Sequence, residues 1–279
     1  MAGRYSLDPA MPVLLRPDGT VQVGWDPRRA VTVRPPGGLT PVALAAVLRR
    51  MQATAGLEDL AREAARHGEL GADDLTVLIG ALVSAGVARP HPSARTGRAP
   101  AIRVHGRGPL ADVILDGLTR CGARVKHSSQ PHASVRPGAT DLVVLTDYLV
   151  ADPRLLRELR ETRLPHLQVR VRDGVGLVGP LVLPGLTSCL DCADLHRSDR
   201  DAAWPVVAAQ LRDTVGSADR ATVLATAALA LGQINTVLAA MRGTPGPRPP
   251  ATLSTTLEFD ATSSTITSRH WPRHPRCAC

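Results

Sequence analysis

Four of the five cysteines form two close pairs, and their spacing indicates metal chemistry. One pair is Cys189 and Cys192, in a C-x-x-C arrangement, and the other is Cys277 and Cys279. Short pairs of this kind each turn two sulfurs toward one ion, which is typical of a tetrahedral zinc site. Four thiolates leave no open coordination position, so we predict a structural zinc ion that fixes the C-terminal segment.

Two other interpretations of these cysteines stay open on spacing alone. Disulfides require an oxidising compartment, and residues 1–9 carry no apolar stretch typical of a secretion signal. A redox pair of Cys189 and Cys192 would leave the second pair unexplained. The fifth cysteine, Cys121, lies in an apolar helical pattern, which predicts a core residue.

A second motif is a glycine-rich turn between a predicted strand and a predicted helix. In the sequence VHGRGPLA, Gly106 and Gly108 let backbone N–H groups approach a phosphate at the helix N-terminus. However, Pro109 removes one donor, and no acid follows the next strand to bind a ribose. The motif predicts either a nucleotide site or a turn kept for packing. Asp147, after an apolar strand, could reach a metal–nucleotide or cap the next segment.

These motifs belong to a body that alternates strand and helix over residues 101–279. This alternation of strands and helices predicts an α/β fold with a Rossmann-like, mostly parallel sheet, an antiparallel edge and a zinc-held C-terminus. Residues 221–241 are uncharged and long enough to span a bilayer. Their alanine, threonine and amide content favours a helix buried against the sheet over a membrane span. We therefore expect a cytoplasmic protein with no membrane attachment.

The N-terminal part, residues 1–90, reads as three short strands followed by three helices, and residues 91–100 read as a linker. This order is typical of a small winged-helix-like α+β domain. Its last strand, Ala30–Arg34, would be an exposed edge beside the third helix. An edge next to an apolar groove can bind an extended peptide as an added strand. The predicted peptide-binding residues are Val31, Thr32, Val33, Arg34, Leu75, Leu78, Ile79 and Leu82.

Charge and composition restrict the partners of this domain. The formal charge of +8 admits an acidic partner, and Arg28 and Arg29 beside the edge would favour acidic side chains on a peptide. The aromatic content of 2% disfavours a protein that stacks single-stranded bases. Asp73 and Asp74 on the third helix disfavour a major-groove DNA reader. A dimerisation module remains a further interpretation.

The region around the cysteines resembles a known superfamily. The segments that carry the resemblance are GPLVLPGLTSCLDC at 179–192, DLHRSDRDAAWP at 194–205 and WPRHPRCAC at 271–279. They resemble the ThiF-like superfamily of ubiquitin-like-protein activators, in the branch found in thiazole/oxazole-modified microcin (bacteriocin) biosynthesis. Members of that branch are cyclodehydratase partners or leader-peptide-binding subunits. The resemblance covers about residues 100–279, and the winged-helix-like head matches the recognition module of such proteins.

The resemblance implies roles for particular residues. Gly106, Gly108 and Asp147 fall where active members hold ATP and its magnesium. In the microcin branch the ThiF-like fold often adenylates nothing and presents a precursor to a separate ATP-using YcaO enzyme. The zinc ligands of the family match Cys189, Cys192, Cys277 and Cys279.

Together these observations favour a non-catalytic subunit that binds a precursor leader peptide and presents it to a YcaO-type or other modifying enzyme, with homodimerisation through the body. An alternative is an ATP-dependent enzyme that adenylates a peptide or ubiquitin-like C-terminal carboxylate. A second alternative is a DNA-binding regulator with a Rossmann-like sensor. His196, His270 and His274 either support the zinc thiolates or lie at the surface.

Overall fold

The structure is a computed structural model, and it describes residues 3–66, 71–91, 98–120, 123–130, 138–243 and 248–279. Cys121 and most of the predicted linker lie outside the described residues. The chain forms two compact units, Met1–Thr96 and Gly97–Cys279. The division falls inside the predicted linker, and the roles assigned to the two domains remain predictions.

The first unit contains two small sheets and three helices. Three of its strands correspond to those expected between residues 12 and 34. Thr40 caps the first helix, because its hydroxyl accepts a hydrogen bond from the Ala43 N–H at 3.1 Å. The elements are β1 (Arg4–Leu7), β2 (Val13–Leu15), β3 (Val21–Val23), β4 (Val31–Val33), α1 (Pro41–Met51), β5 (Ala55–Gly56), α2 (Leu57–Ala65), α3 (Ala72–Ser84) and β6 (Ala88–His91).

The sequence pattern does not predict three short strands of this unit, β1, β5 and β6. β1 pairs with β5 on one side and with β6 on the other, while the second sheet has the order β2-β3-β4. Pro90 and His91 belong to β6, although the sequence predicts a linker from residue 91. Pro90 is tolerated because β6 is an edge strand, where a missing N–H interrupts no ladder on the outer side.

The second unit alternates strand and helix from Ala101 onward, as the sequence predicts. β9 is buried at all five positions, as expected of a strand covered on both faces. The elements are β7 (Ala101–His105), α4 (Pro109–Thr119), β8 (Arg124–Ser128), β9 (Leu142–Thr146), α5 (Pro153–Glu161), β10 (His166–Arg172), β11 (Val175–Val182), α6 (Leu190–Arg200), α7 (Trp204–Leu211), α8 (Arg220–Met241), β12 (Thr255–Asp260) and β13 (Thr265–His270).

One seven-stranded sheet, in the order β13-β12-β11-β10-β9-β7-β8, organises the second unit. β8, β7, β9 and β10 are parallel, and β11 to β13 add an antiparallel edge. α4 and α8 share a core with one face of the sheet, while α5 and the start of α6 cover the other. The predicted Rossmann-like α/β fold class is therefore confirmed, and its antiparallel edge consists of three strands.

The long apolar helix α8 is a core helix. It is long and apolar enough to cross a bilayer by length and composition. One of its faces packs against the sheet, where Thr222, Thr226, Ala227 and Ala230 are fully buried. The predicted burial of this helix is thereby confirmed, and the cytoplasmic location remains a prediction.

Candidate functional site

The four paired cysteines come together at one point of the second unit. Cys189 lies directly before α6 and Cys192 in its first turn, while Cys277 and Cys279 return from the C-terminal segment. Their sulfur atoms all lie within 4.8 Å of one another. The Sγ–Sγ distance is 3.5 Å for Cys189–Cys277 and for Cys192–Cys279, and 3.8 Å for Cys189–Cys192.

These distances fit a tetrahedral metal site. A Zn–S bond of about 2.3 Å places tetrahedral sulfurs about 3.8 Å apart, whereas a disulfide joins them at about 2.05 Å. All four are free thiols, so the disulfide interpretation has no support here. Burial raises the pKa of the Cys189 thiol and raises that of Cys277 to about 11. A cation is therefore needed to hold Cys189 and Cys277 as thiolates, and with four sulfurs the site is closed to substrate.

Trp271 fixes the C-terminal segment against the sheet. Its side chain is 3% exposed, and its indole N–H donates to Thr256 Oγ1 at 2.9 Å. The Arg197 guanidinium stacks on the ring at 4.7 Å from the centroid, and Asp194 pairs with Arg197 at 2.7 Å. These contacts anchor the segment a few residues before its two cysteines.

His274 joins the same segment to α6. Its backbone N–H donates to Cys192 Sγ at 3.3 Å, and its ring Nδ1 accepts the Arg276 N–H at 3.1 Å. Nε2 therefore carries the proton, which it donates to Asp199 Oδ2 at 2.8 Å. The ring of His196 packs edge-on against that of His274, with 4.7 Å between the ring centroids. His196, Asp199 and His274 are close enough to share an ion, but an Nε2 that donates a proton cannot act as a ligand. The network supports the cysteine cluster instead.

The glycine turn lies between β7 and α4, but a side chain occupies the helix N-terminus. The Asp147 carboxylate accepts the N–H groups of Leu110 and Ala111, each at 3.0 Å. These are the donors that a phosphate would require. A Cβ on Gly108 would lie 2.6 Å from Asp147 Oδ1, so this glycine is needed for the approach of the carboxylate. Burial raises the pKa of Asp147, and the two N–H bonds counteract that effect.

The strand ends around the turn are tied to one another. A Cβ on Gly106 would lie 2.2 Å from Thr146 Oγ1, which explains the glycine by packing alone. The His127 ring Nε2 lies 2.8 Å from the Gly106 carbonyl oxygen. The Tyr148 hydroxyl donates to the Ser129 carbonyl oxygen at 3.2 Å. Three neighbouring parallel strands are thus bridged where a Rossmann-like fold usually binds its ligand.

The segment after α7 covers the same strand ends. The Leu149 N–H donates to the Thr214 carbonyl oxygen at 2.9 Å, and the Gly216 N–H donates to that of Asp147 at 3.0 Å. The cavity beside these strand ends, lined by His105 and Gln168 among others, measures about 20 Å³. That is room for about one water molecule, whereas ligand pockets measure roughly 300–1,000 Å³. The three predicted nucleotide-site residues are gathered together, but the space between them is filled.

Among the described residues of the first unit, β4 is an edge strand that pairs only with β3. Val31 and Val33 are half-buried and pack against the core of the unit, while Thr32 is exposed on the opposite face. Arg34 follows the strand and is exposed. This part of the predicted peptide site is therefore an open edge whose inner face continues an apolar core.

The predicted helical part of the peptide site is placed differently. The four apolar residues of α3 belong to the core of the unit, so they offer little surface to a ligand. The helix leaves Val77 exposed instead, together with Asp73 and Asp74. The buried residues, with their exposed fractions, are Leu75 (2%), Leu78 (8%), Ile79 (2%) and Leu82 (3%).

The sequence patterns did not single out two residues that lie near these sites, Trp25 and Asp199. Trp25, in the β3–β4 connection, is 81% exposed. An aromatic residue within a polar turn is the sequence feature that could have identified it. Asp199, the partner of His274, lies three residues after His196 and hence on the same face of α6. His270 is exposed on β13, where its Nδ1 lies 3.4 Å from Thr255 Oγ1.

The fold of the whole chain is similar to that of a heterocyclase and of a microcin C7 biosynthetic enzyme. One match is the heterocyclase TruD, which aligns with 99% of this chain (TM-score 0.67, 16% identity). Another is the microcin C7 biosynthetic enzyme MccB in complex with N-formylated MccA, which also aligns with 99% of this chain (TM-score 0.58, 12% identity). A third match is E. coli MccB with ATP (TM-score 0.55, 12% identity). At such identities the likeness shows the fold alone, which is Rossmann-like as in MccB.

The relatives differ in how much of their length this chain covers. It covers 99% of the MccB chain in both complexes but 42% of the TruD chain. It also covers 39% of a heterocyclase in complex with substrate and cofactor. The sequence matches no family model and no curated protein.

Proposed function

We propose that this protein is a non-catalytic subunit that binds the leader segment of a precursor peptide and presents it to a separate modifying enzyme in peptide natural-product biosynthesis. The open edge of β4 carries this proposal. An extended peptide can pair its backbone with the free edge, while alternate side chains reach the apolar layer to which Val31 and Val33 belong. The leader is thus expected to have apolar residues at every second position.

Charge and an exposed aromatic residue refine the expected ligand. Arg28, Arg29 and Arg34 are exposed around β4, and none has an ion-pair partner among the described residues. Acidic side chains on the peptide would pair with them. Trp25 offers a large rigid surface next to the same edge, and such residues are common binding hot spots.

The filled nucleotide crevice supports the absence of catalysis. Asp147 already occupies the donors at the start of α4, and the remaining cavity of about 20 Å³ cannot hold a nucleotide. This chain covers 42% of the length of the TruD chain, which is a heterocyclase. That difference in length supports the proposal that a separate enzyme carries out the modification. We expect that partner to be a YcaO-type enzyme, with the second unit docking it or forming a homodimer.

Isothermal titration calorimetry with synthetic leader segments of precursor peptides encoded near this protein tests the proposal. We expect one leader to bind, and the double variant Arg28→Glu and Arg34→Glu to weaken binding by about tenfold or more. A matched control is the double variant Arg50→Glu and Arg62→Glu on α1 and α2, which changes the charge equally away from the edge. Absence of binding by every leader, or equal loss in both variants, would refute the peptide site.

Adenylation is the second candidate, because MccB has this fold and one of its structures contains ATP. Gly106, Gly108 and Asp147 would then hold the nucleotide, after movement of the carboxylate away from α4. ATP–pyrophosphate exchange in the presence of the cognate peptide distinguishes the two functions. Exchange above background would favour the enzyme over the presenting subunit.

A further inference from the structure

A cavity of about 490 Å³ lies beside the cysteine cluster, away from the glycine turn. Its walls are the C-terminal half of α5, the segment between β11 and α6, and the side chains of Cys189 and Cys279. It opens near the start of β10, whereas the glycine turn follows the end of β7, so the two regions occupy different ends of the parallel strands. Its volume is within the roughly 300–1,000 Å³ of small-molecule pockets.

One basic side chain in the cavity wall has no partner among the described residues, whereas four thiolates around a zinc ion would give the wall at Cys189 and Cys279 a net negative charge, so an anionic group is expected at the arginine and not at the cysteines. Arg160 pairs with Asp191 at 3.3 Å, so these two charges largely cancel. Arg163, two residues after the end of α5, has no ion pair or hydrogen bond from its side chain within the described part of the chain. Burial lowers the pKa of His166 to about 4, so its ring, whose Nδ1–H donates to the Leu164 carbonyl oxygen at 3.0 Å, adds no charge at neutral pH.

The rest of the wall is apolar. Leu156, Val182 and Leu190 line the interior, and Leu186 stands at the rim with 78% of its surface exposed. An exposed leucine and an unpaired guanidinium in the wall of one cavity favour a ligand with an apolar body and an anionic group.

We propose that this cavity binds an organic acid with an apolar body, whose anionic group pairs with Arg163 while its body covers Leu156, Leu186 and Leu190. No part of the peptide-binding proposal requires this site. Because Cys189 and Cys279 form one wall, the cysteine cluster and the ligand site share a boundary, and the wall is complete only when the C-terminal segment is in place.

The fluorescent anion 8-anilinonaphthalene-1-sulfonate, which combines a sulfonate with two aromatic rings, serves as the probe. Titrated into the zinc-loaded full chain, it should bind saturably at one site. Arg163→Glu should weaken that binding by about tenfold or more, since an attractive charge becomes repulsive. The matched control Arg157→Glu, on an exposed position of the same helix outside the cavity, should leave it within about twofold.

Competition separates the acid from a purely apolar ligand. Octanoate should displace the probe, whereas octanamide of the same chain length should not. Leu186→Asp, at an exposed position that folding does not require, should also weaken probe binding. No saturable binding, equal binding by the two arginine variants, or equal displacement by octanoate and octanamide would overturn the proposal. Peptide titrations with Arg163→Glu should be unchanged, so failure of one proposal is distinguishable from failure of the other.

Discussion

The cysteine cluster and the glycine turn both direct several groups toward one point, but they differ in what lies there. The four sulfurs surround a space that an ion of the size of zinc fits, with Sγ–Sγ distances of 3.5–3.8 Å. The N–H groups at the start of α4 surround the carboxylate of Asp147. The first region requires a ligand for its groups to be satisfied, and the second satisfies its own groups. A motif therefore predicts a site only where the neighbouring chain leaves the centre open.

Loss of the metal should have the largest effect. Cys192→Ser removes a fully buried thiol, so zinc should fall well below one equivalent, and unfolding free energy should drop by more than about 3 kcal/mol. Elemental analysis and chemical denaturation measure the two effects. Cys121→Ser, outside the four paired cysteines, is the control and should retain the metal. Full zinc content in Cys192→Ser would end the assignment of this cluster as the metal site.

Gly106→Ala should be the most damaging change at the glycine turn. The new Cβ would lie 2.2 Å from Thr146 Oγ1 and 2.3 Å from the Thr146 carbonyl oxygen, so the strands must shift at a cost of about 3 kcal/mol. Gly232→Ala is the control, because nothing lies within 4 Å of that position on α8, and a helical alanine is favoured over glycine by roughly 1 kcal/mol. Equal stability of the two variants would contradict the packing role.

Asp147→Ala should destabilise the second unit by about 2 kcal/mol, because it leaves two buried N–H groups without an acceptor. Thermal unfolding measures this loss. Asp112→Ala, in the first turn of the same helix, is the control for a change of charge. If Asp147→Ala were as stable as the parent protein, the contrast between a self-satisfied turn and an open cysteine cluster would lose its basis.

The smallest expected effect is shared by the two regions, because each has a buried histidine. His105 lies next to the glycine turn and His166 next to the cysteine cluster, and burial lowers the pKa of each to about 4. The folded state therefore binds fewer protons than the unfolded state below pH 6.5, so stability is complete above that pH and falls as the pH drops toward 4.

By pH 5.5 each histidine should reduce the unfolding free energy by about 1 kcal/mol. Denaturation at pH 7.5 and 5.5 measures this difference. His166→Gln should reduce the difference in unfolding free energy between the two pH values by the contribution of that ring. The control His270→Gln, at an exposed position, should leave that difference unchanged. An unaltered pH dependence in His166→Gln would show that the buried ring does not contribute.

Most regular elements of the second unit follow from sequence patterns. β7 is the strand expected before the glycine turn, and the apolar run at the start of β9 predicts a strand covered on both faces. The short strands β1, β5 and β6 could not be predicted, because β1 pairs with partners far away in the sequence and no hairpin turn connects them, unlike β2 and β3. Similarly, α3 has an apolar face that fits either a core or a groove, and only its packing shows a core.

By itself, the sequence determined the alternation of strand and helix, the pairing of the cysteines and the short length of the edge strand, because each is a local pattern along the chain. Tertiary structure alone decided that the cysteine pairs meet, since Cys192 and Cys279 are far apart in sequence but their sulfurs lie 3.5 Å apart. It also decided that Asp147 closes the glycine turn, because that carboxylate reaches α4 from the end of another strand. Proximity across the sheet depends on how the strands are ordered, and no local pattern encodes that order.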